Sequence, residues 1–273
     1  MPISPCVFSD EVAAEFPDAV RIAAENGCRN LEIRGRLFGK TVAQIDDDDV
    51  ARMQSVLAEH GARVAVIGSP VGKCADTSED HRRHQRLFSR MAELAQAFGT
   101  RVIRGFALWR PDRKRATDHL RPNLDEHLES ITSFLTPIVE EATRENVVLA
   151  LETEGATMVG TCAEARRVMD ALGNPPALGV AWDVNNGLHN GEAPLPDGYA
   201  LIRDRVYHVH VKPDSSKSLA TVADSELTYA RLLRLLRDDG YQGAASIEHW
   251  GSPEFTLKGI RELVPLLATI NSE

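Results

Sequence analysis

Short apolar runs alternate with longer amphipathic stretches from one end of the chain to the other. Such alternation is typical of repeated strand–helix units, which form a parallel sheet. The apolar runs predict eight strands, at Cys6–Ser9, Asn30–Arg34, Arg63–Gly68, Arg101–Phe106, Val147–Glu152, Leu178–Asp183, Val206–Val211 and Ala244–Glu248. The stretches between them have helical periodicity, and several end at a glycine or asparagine that suits the residue after a helix.

Eight strands, each followed by a helix, favour a closed (β/α)8 TIM barrel over an open sheet. The chain has 273 residues, and one such barrel takes roughly 250. We therefore predict a single TIM barrel domain over residues 1–273. The longest irregular stretch, residues 107–120 with its basic PDRKRATDH segment, is predicted as a strand-to-helix loop of the kind that lies over barrel active sites.

Polar residues collect at the carboxyl ends of the later predicted strands. Along the fifth, alternate positions change from Val148 and Ala150 to Glu152, and Glu154 continues the series. The sixth ends in Asp183 by the same alternation. The seventh and eighth place further polar residues on one face of each strand: His208, His210 and Lys212, and Ser246 and Glu248. In a barrel this gradient places polar side chains at the mouth formed by the carboxyl ends of the strands.

Four of these residues end four consecutive strands: Glu152, Asp183, His210 and Glu248. Their side chains should converge, and three carboxylates near one another at pH 7 require either raised pKa values or a cation among them. A cation is the simpler explanation. Three carboxylates and one imidazole suit Mn²⁺, Mg²⁺ or Co²⁺, and Zn²⁺ is a poorer match for so oxygen-rich a set.

Charge and composition exclude several classes of partner. The chain has 31 Lys and Arg against 40 Asp and Glu, a formal net charge of −9, which is the wrong sign for binding nucleic acid. The sequence has no signal-peptide pattern and no apolar segment near the ~20 residues that span a bilayer. We expect a cytoplasmic protein with a small-molecule substrate and no membrane or nucleic-acid partner. A homo-oligomer is compatible with the sequence.

The cysteines and one acidic run are interpreted as structural features and not as parts of a functional site. The four cysteines, at positions 6, 28, 74 and 162, lack metal-ligand spacing and are predicted to be reduced thiols. The acidic run Asp46–Asp49 precedes a helical pattern, where carboxylates favour the positive end of the helix dipole. We interpret this run as a helix start and not as a cation site.

Several other residues lie near the predicted metal ligands. Arg104, which alternation directs inward, and Lys212 are candidates for binding substrate oxygens or a phosphate, and each is equally compatible with a structural ion pair. Trp182 borders Asp183 and is a candidate for stacking on a sugar or for packing. Glu32 and Arg34 are predicted to pair with each other. His208 is predicted to be a supporting or core residue, and His249 to face away from Glu248.

The segments LALETEG, GVAWDVNNG, YHVHVKP and SIEHW resemble the metal-binding segments of the xylose isomerase-like TIM barrel superfamily. That group includes sugar phosphate isomerases/epimerases, ketose 3-epimerases, inosose dehydratase and, more distantly, endonuclease IV. LEIRG, IGSPVGK and VIRGF resemble other strand ends, so the similarity covers nearly the whole chain. The resemblance implies that Glu152, Asp183, His210 and Glu248 are metal ligands and that Glu152 and Glu248 also form an acid–base pair.

The chain departs from the ketose 3-epimerase pattern at two positions. Asn186 occurs where those enzymes have a histidine three residues after the aspartate ligand, and Met158 where they have a second glutamate. The frequent His-x-Lys-Asp motif reads His-Val-Lys-Pro at positions 210–213. These differences leave the substrate open, with Asn186 and Glu154 as further candidates for contact with it.

Isomerisation, epimerisation and dehydration of a hydroxy-carbonyl compound share one first step, the loss of a proton beside the carbonyl. A divalent ion stabilises the resulting charge, and a carboxylate removes the proton. A metal-dependent sugar isomerase or epimerase is the favoured function. The alternatives are a lyase acting on an inosose, keto-sugar or dehydroshikimate, and a nuclease or non-catalytic sugar-binding barrel. Sequence leaves open whether Glu152 or Glu248 is the base.

Overall fold

The computed structural model describes residues 2–111 and 120–273, and eight parallel strands within them form a closed barrel. Neighbouring strands follow chain order around the barrel, from β1 to β8. The strands are β1 (Ser4–Phe8), β2 (Asn30–Ile33), β3 (Arg63–Gly68), β4 (Val102–Gly105), β5 (Val148–Glu152), β6 (Leu178–Asp183), β7 (Val206–Val211) and β8 (Ala244–Ile247). The predicted TIM barrel is confirmed, and the predicted strand ends differ from the observed ones by no more than two residues.

Helices occupy the connections between the strands. They are α1 (Ser9–Val12), α2 (Phe16–Glu25), α3 (Asp47–Glu59), α4 (Ser78–Phe98), α5 (Leu128–Arg144), α6 (Cys162–Ala171), α7 (Val184–His189), α8 (Tyr199–Ile202), α9 (Tyr229–Asp238) and α10 (Pro253–Ser272). A short 3₁₀ helix, Leu124–Glu126, precedes α5. In the described ranges, no helix combines the length and the apolar composition needed to cross a membrane. Of the predicted loop 107–120, residues 112–119 lie outside the described residues.

The acidic run before α3 caps that helix. The Asp46 side chain accepts a hydrogen bond from the backbone N–H of Asp49 at 3.0 Å, and the Asp49 side chain accepts from the backbone N–H of Asp46 at 3.1 Å. This reciprocal capping box satisfies two of the unpaired N–H groups at the start of the helix. Lys40 pairs with both carboxylates. The helix-start interpretation is therefore confirmed.

By its internal contacts the chain divides into two compact units. The first comprises Met1–Gly68, Ala97–Thr100 and His208–Glu273, and the second comprises Ser69–Gln96 and Arg101–Tyr207. In the first unit, β1 pairs with β2 and with β8, and His210 of β7 lies opposite Ser246 of β8. The register between β2 and β3 shifts between Leu31 and Glu32.

The second unit contains β4, β5 and β6 in parallel register. Arg104 lies opposite Ala150, and Glu152 lies opposite Ala181. Every residue of β5 and of β6 is buried, including the acidic residues at their carboxyl ends. Both strands are therefore apolar over most of their length and change to carboxylate only at one end.

All four cysteines, each within the described ranges, are buried free thiols. Burial raises the pKa of the Cys28 thiol and of the Cys74 thiol to about 12. The reactive thiolate is therefore scarce at neutral pH. These thiols act as apolar packing groups, in line with the structural interpretation of the cysteines.

Gly72 allows a close approach within the second unit. Its φ is +84°, and a Cβ at this position would overlap the backbone carbonyl oxygen of Phe106. The neighbouring residues cannot relieve this contact easily, because the Phe106 N–H donates to Val71 O at 2.8 Å and fixes the two segments together. Gly99 also has a positive φ, +68°, but has nothing within 4 Å of the same position.

We expect Gly72→Ala to lower the free energy of unfolding by roughly 2–5 kcal/mol, the sum of left-handed backbone strain and overpacking. Gly99→Ala is the matched control, with an expected loss of about 1–2 kcal/mol from backbone strain alone. Urea denaturation of both variants measures the difference. Equal losses in the two variants would show that the approach to Phe106 imposes no constraint.

Candidate metal centre

Glu152, in the second unit, is the last residue of β5 and is buried. The Arg104 guanidinium, on the neighbouring β4, donates from Nη1 to Glu152 Oε2 at 2.8 Å. The side chains of both residues are no more than 5% exposed. Arg104 therefore offsets part of the cost of burying this carboxylate, because a paired charge replaces hydrogen bonds lost from water.

Asp183, also in the second unit, ends β6 and caps α7. Its Oδ1 accepts a hydrogen bond from the backbone N–H of Asn186 at 3.0 Å. The backbone N–H of Asp183 donates to the Thr153 hydroxyl, and that hydroxyl donates to the Asp183 carbonyl, both at 3.0 Å. Asp183 is fully buried, its backbone is fixed by Thr153 and one carboxylate oxygen is fixed by Asn186.

His210, in the first unit, is fully buried on β7. Its Nδ1 lies 3.2 Å from Glu248 Oε2, and its Nε2 lies 3.3 Å from Glu32 Oε2. The Phe8 ring packs edge-on against the imidazole, with the ring centroids 5.3 Å apart. Alternation along β7 correctly predicted that His208 and His210 share the inward face, since both contact Glu32.

Glu248 follows β8 and is nearly fully buried among basic groups of the first unit. Arg34 Nη1 lies 3.1 Å and His249 Nε2 lies 3.2 Å from its Oε1, while Lys212 Nζ lies 3.5 Å from its Oε2. Burial alone opposes ionisation, but His210 and Lys212 nevertheless hold the pKa of Glu248 well below its usual value. Glu248 is therefore ionised at neutral pH.

Glu152 and Asp183 belong to the second unit, and His210 and Glu248 belong to the first. All four residues are buried. Three carboxylates and one imidazole are a set of hard oxygen donors with one nitrogen, which suits Mn²⁺, Mg²⁺ or Co²⁺. The four residues therefore fit a divalent cation in the chemistry of their donor atoms.

Two further groups of potential ligand residues lie within the first unit. They are Glu32, His208 and His210, and Glu11, Glu248 and His249. In the first group the Glu32 carboxylate contacts both imidazoles. Burial opposes ionisation of Glu32, yet His208 and His210 still hold its pKa well below the usual value. This residue was not predicted to belong to the site.

The predicted pairing of Glu32 with Arg34 is wrong. Arg34 instead contacts Asp10, Glu11 and Glu248 at 3.1–3.2 Å. Glu32 lies on the same inward face, but the two histidines of β7 are its partners. Alternation gives the face of a strand correctly and cannot choose between partners on other strands.

The prediction that His249 faces away from Glu248 is also wrong. His249 has a φ of +60° in the left-handed region, which is uncommon for a residue other than glycine. Because β8 ends at Ile247, strand alternation no longer applies at this position. The turn returns the imidazole to Glu248 Oε1, and contact with this carboxylate raises the pKa of His249.

The predicted substrate residues have different surroundings. Arg104 and Lys212 lie beside Glu152 and Glu248 respectively. Glu154 is partly exposed and faces Lys73. Asn186 is in the first turn of α7. The Trp182 ring is fully buried and stacks on Tyr199 at 5.3 Å between centroids, so we assign it to packing and not to sugar stacking.

A cavity of about 530 Å³ lies within the second unit. The Lys73 ammonium lies over the Phe106 ring, 4.2 Å from its centroid, and 3.5 Å from Glu154 Oε2. The lining includes Lys73, Cys74, Arg83, Trp109, His127 and Met158. Sequence reasoning did not predict this cavity. Loop residues lack the periodicity that identifies strand faces, although a long strand-to-helix loop at residues 107–120 was a signal.

The closed barrel defines a TIM barrel protein, and its first unit contains a buried group of potential metal ligands, Glu32, His208 and His210. A family model described as xylose isomerase-like TIM barrel matches residues 20–269. The chain belongs to this family.

Solved structures with the same fold include enzymes of two reaction classes. The probable 3-DHS dehydratase AsbF of Bacillus anthracis has a TM-score of 0.73 at 18% identity, covering 96% of this chain and 98% of its own. The 3-keto-D-glucoside 4-epimerase YcjR of E. coli has a TM-score of 0.72 at 20% identity and covers both chains fully. At these identities the likeness establishes the fold alone.

A third structure contains a metal ion. This xylose isomerase-like TIM barrel protein from Mycobacterium smegmatis, in complex with magnesium, has a TM-score of 0.75 at 16% identity, covering 98% of this chain and 97% of its own. No curated protein matches the chain significantly.

We expect His210→Ala to lose the bound divalent ion, because it removes one ligand from the four, and Asp183→Asn to hold the ion more weakly, because a neutral amide replaces a carboxylate. Asn at position 183 keeps an oxygen that can cap α7, which separates ligand loss from helix fraying. Elemental analysis of the purified proteins measures the metal content.

Glu164→Gln provides the control, since Glu164 pairs with Arg121 at 2.9 Å and is not one of the four residues. It should retain its metal. Full occupancy in both His210→Ala and Asp183→Asn would show that the ligands are assigned to the wrong residues.

Proposed function

We propose that the protein is a divalent-metal-dependent isomerase or epimerase that acts on a small ketose, aldose or related polyol. The observation that carries the proposal is that a buried potential ligand lies on or directly after each of the consecutive strands β5 to β8: Glu152, Asp183, His210 and Glu248. These residues would hold Mn²⁺, Mg²⁺ or Co²⁺. When bound, the ion supplies Lewis-acid stabilisation of negative charge on substrate oxygens.

Glu152 and Glu248 are the proposed proton carriers. One carboxylate removes the proton from the carbon beside the substrate carbonyl, and the other returns a proton at a different position or face. Both are ligand candidates with basic neighbours, Arg104 for Glu152 and Arg34 with Lys212 for Glu248. These neighbours favour the ionised form that a base requires.

Arg104 and Lys212 are the proposed contacts for substrate oxygens. Each already lies beside one of the two glutamates, with Arg104 Nη1 2.8 Å from Glu152 and Lys212 Nζ 3.5 Å from Glu248. A cation in this position can bind a hydroxyl or carbonyl oxygen of a substrate while it stays paired. Glu154 and Asn186 are proposed as further polar contacts, which would help to orient the substrate.

A metal-dependent lyase is the second candidate, because one solved structure with this fold is a probable dehydratase and another is an epimerase. Both reactions begin with loss of a proton beside a carbonyl. They differ in whether a proton returns or a hydroxyl leaves. The proposed active-site residues could catalyse either the epimerisation or the elimination.

The reaction class is tested by incubating the metal-loaded protein in D₂O with a panel of keto-sugars and inososes and following products by NMR. Deuterium at the α-carbon without loss of mass supports an isomerase or epimerase. Loss of water supports the lyase. An absence of both exchange and product across the panel would contradict the proposal.

We expect Glu152→Gln and Glu248→Gln each to lower turnover by at least ~10²-fold, the lower end of what a general acid or base contributes. Glutamine keeps a ligating oxygen and nearly the same shape, so metal should persist, weakened, and circular dichroism should be unchanged. Turnover is measured at saturating metal.

The two variants should also differ from each other. The variant without the base should stop exchange of the α-proton in D₂O, whereas the variant without the partner acid should still exchange without forming product. Near-normal turnover in either metal-loaded variant would show that another group carries the proton, with Glu154 and Lys212 the next candidates.

A further inference from the structure

Glu32 is a buried carboxylate that the proposed chemistry does not use. It lies on β2 at the register shift with β3, and its side chain has no exposure to solvent. Irregular registers of this kind redirect individual side chains. Here Glu32 Oε2 lies 2.8 Å from His208 Nε2 and 3.3 Å from His210 Nε2.

When Glu248 Oε2 binds a cation and cannot accept from His210, this contact determines which nitrogen of His210 can bind the same cation. An ionised carboxylate only accepts hydrogen bonds, so the N–H of a neutral His210 lies on Nε2, toward Glu32. The lone pair is then on Nδ1, which lies 3.2 Å from Glu248 Oε2. Donor atoms bound to one metal at about 2.1 Å lie roughly 3 Å apart, so this separation suits two ligands of one ion.

The His210 ring is also confined by its neighbours. The His208 ring packs edge-on against it at 5.0 Å between centroids, and the Phe8 ring does so at 5.3 Å. His208 makes the shorter of the two contacts to Glu32 Oε2 and so restrains the carboxylate. The hydrogen bond selects the tautomer, and the packing restricts the ring orientation.

We propose that Glu32 is a positioning residue, anchored by His208, that holds His210 with Nδ1 directed toward the metal. This inference rests on the proposed function and adds a residue outside the four ligands. Partners of this kind, which bind the second nitrogen of a metal-binding histidine, typically contribute 10–100-fold in metal affinity or activity.

The test is titration of the metal-free protein with Mn²⁺ alone by calorimetry. Glu32→Leu removes the acceptor and should weaken binding by about 10–100-fold. Glu32→Gln keeps an oxygen of the same reach, which can still accept from His210, and should restore most of the affinity. Glu32→Asp withdraws the carboxylate by one methylene and should bind more weakly than Glu32→Gln.

Glu192→Leu is the matched control. Glu192 is a partly buried carboxylate that accepts a hydrogen bond from the backbone N–H of Cys162 at 2.7 Å, and it is not in any of the candidate metal groups. This variant should lose stability without losing affinity for Mn²⁺. The visible absorption of bound Co²⁺ gives a second measurement, since a displaced imidazole changes the ligand field whereas a general loss of stability does not.

The outcomes separate this inference from the proposed function. Unchanged affinity and an unchanged Co²⁺ spectrum in Glu32→Leu, with normal binding in the unsubstituted protein, overturn the role of Glu32 alone. A stoichiometry of two ions that falls to one in Glu32→Gln would make Glu32 a ligand of a second site and would also overturn it. An unsubstituted protein that binds no ion refutes the metal centre and this inference together.

If Glu32→Leu does not fold, Glu32→Gln and Glu32→Asp decide the question. The expected order of affinity is the unsubstituted protein, then Gln, then Asp. Equal affinity in all three would show that the hydrogen bond to His210 has no effect on the metal centre.

Discussion

The structure depends on neutralising the charge of several buried carboxylates with nearby basic side chains or hydrogen-bond donors. Removing a carboxylate from water costs several kcal/mol unless donors or opposite charges replace the lost hydration. Each buried glutamate accordingly has basic partners: Glu32 has His208 and His210, Glu152 has Arg104, and Glu248 has Arg34, Lys212 and His249. The partners occupy their positions because no apolar neighbour could fulfil this requirement.

The need to neutralise buried carboxylates also explains why the two ends of β5 and of β6 differ in composition. β5 and β6 are apolar before their last residues, as packing inside a barrel requires. Carboxylates appear only in the last positions, Glu152 and Asp183, where arginine or backbone N–H groups can reach them. The same gradient made the strand ends readable from the sequence, because it is a property of composition along the chain.

The strands and the closed barrel could be predicted because they depend on local alternation and on the length of one strand–helix unit, and the four proposed ligands were inferred from the same alternation. The partners of a side chain on distant strands could not be predicted. Glu32 was assigned to Arg34, its neighbour two residues along, since sequence gives no information about which residue of a distant strand lies opposite. His249 was misassigned for another reason: its left-handed backbone ends the alternation that the prediction assumed.

The two carboxylate oxygens of Glu248 have different neighbours. Its Oε2 lies beside His210 Nδ1, whereas its Oε1 lies beside Arg34 and His249. If Oε2 binds the metal, the oxygen left to exchange a proton with substrate is Oε1. The cations beside Oε1 keep the carboxylate ionised, which suits a base, but they also lower its affinity for a proton.

In the proposed mechanism, Glu248 therefore acts as a base where substrate binding weakens one of these contacts. Arg34 is the less movable of the two neighbours, because it is also held by Asp10 and Glu11 at 3.1–3.2 Å. His249 has an exposed side chain on a turn with a positive φ, and its remaining contact, with Glu11, is 4.0 Å long. A substrate that reaches Glu248 Oε1 would accordingly displace His249 more easily than Arg34, so the strained turn after β8 is the part of the site best suited to adjust to substrate.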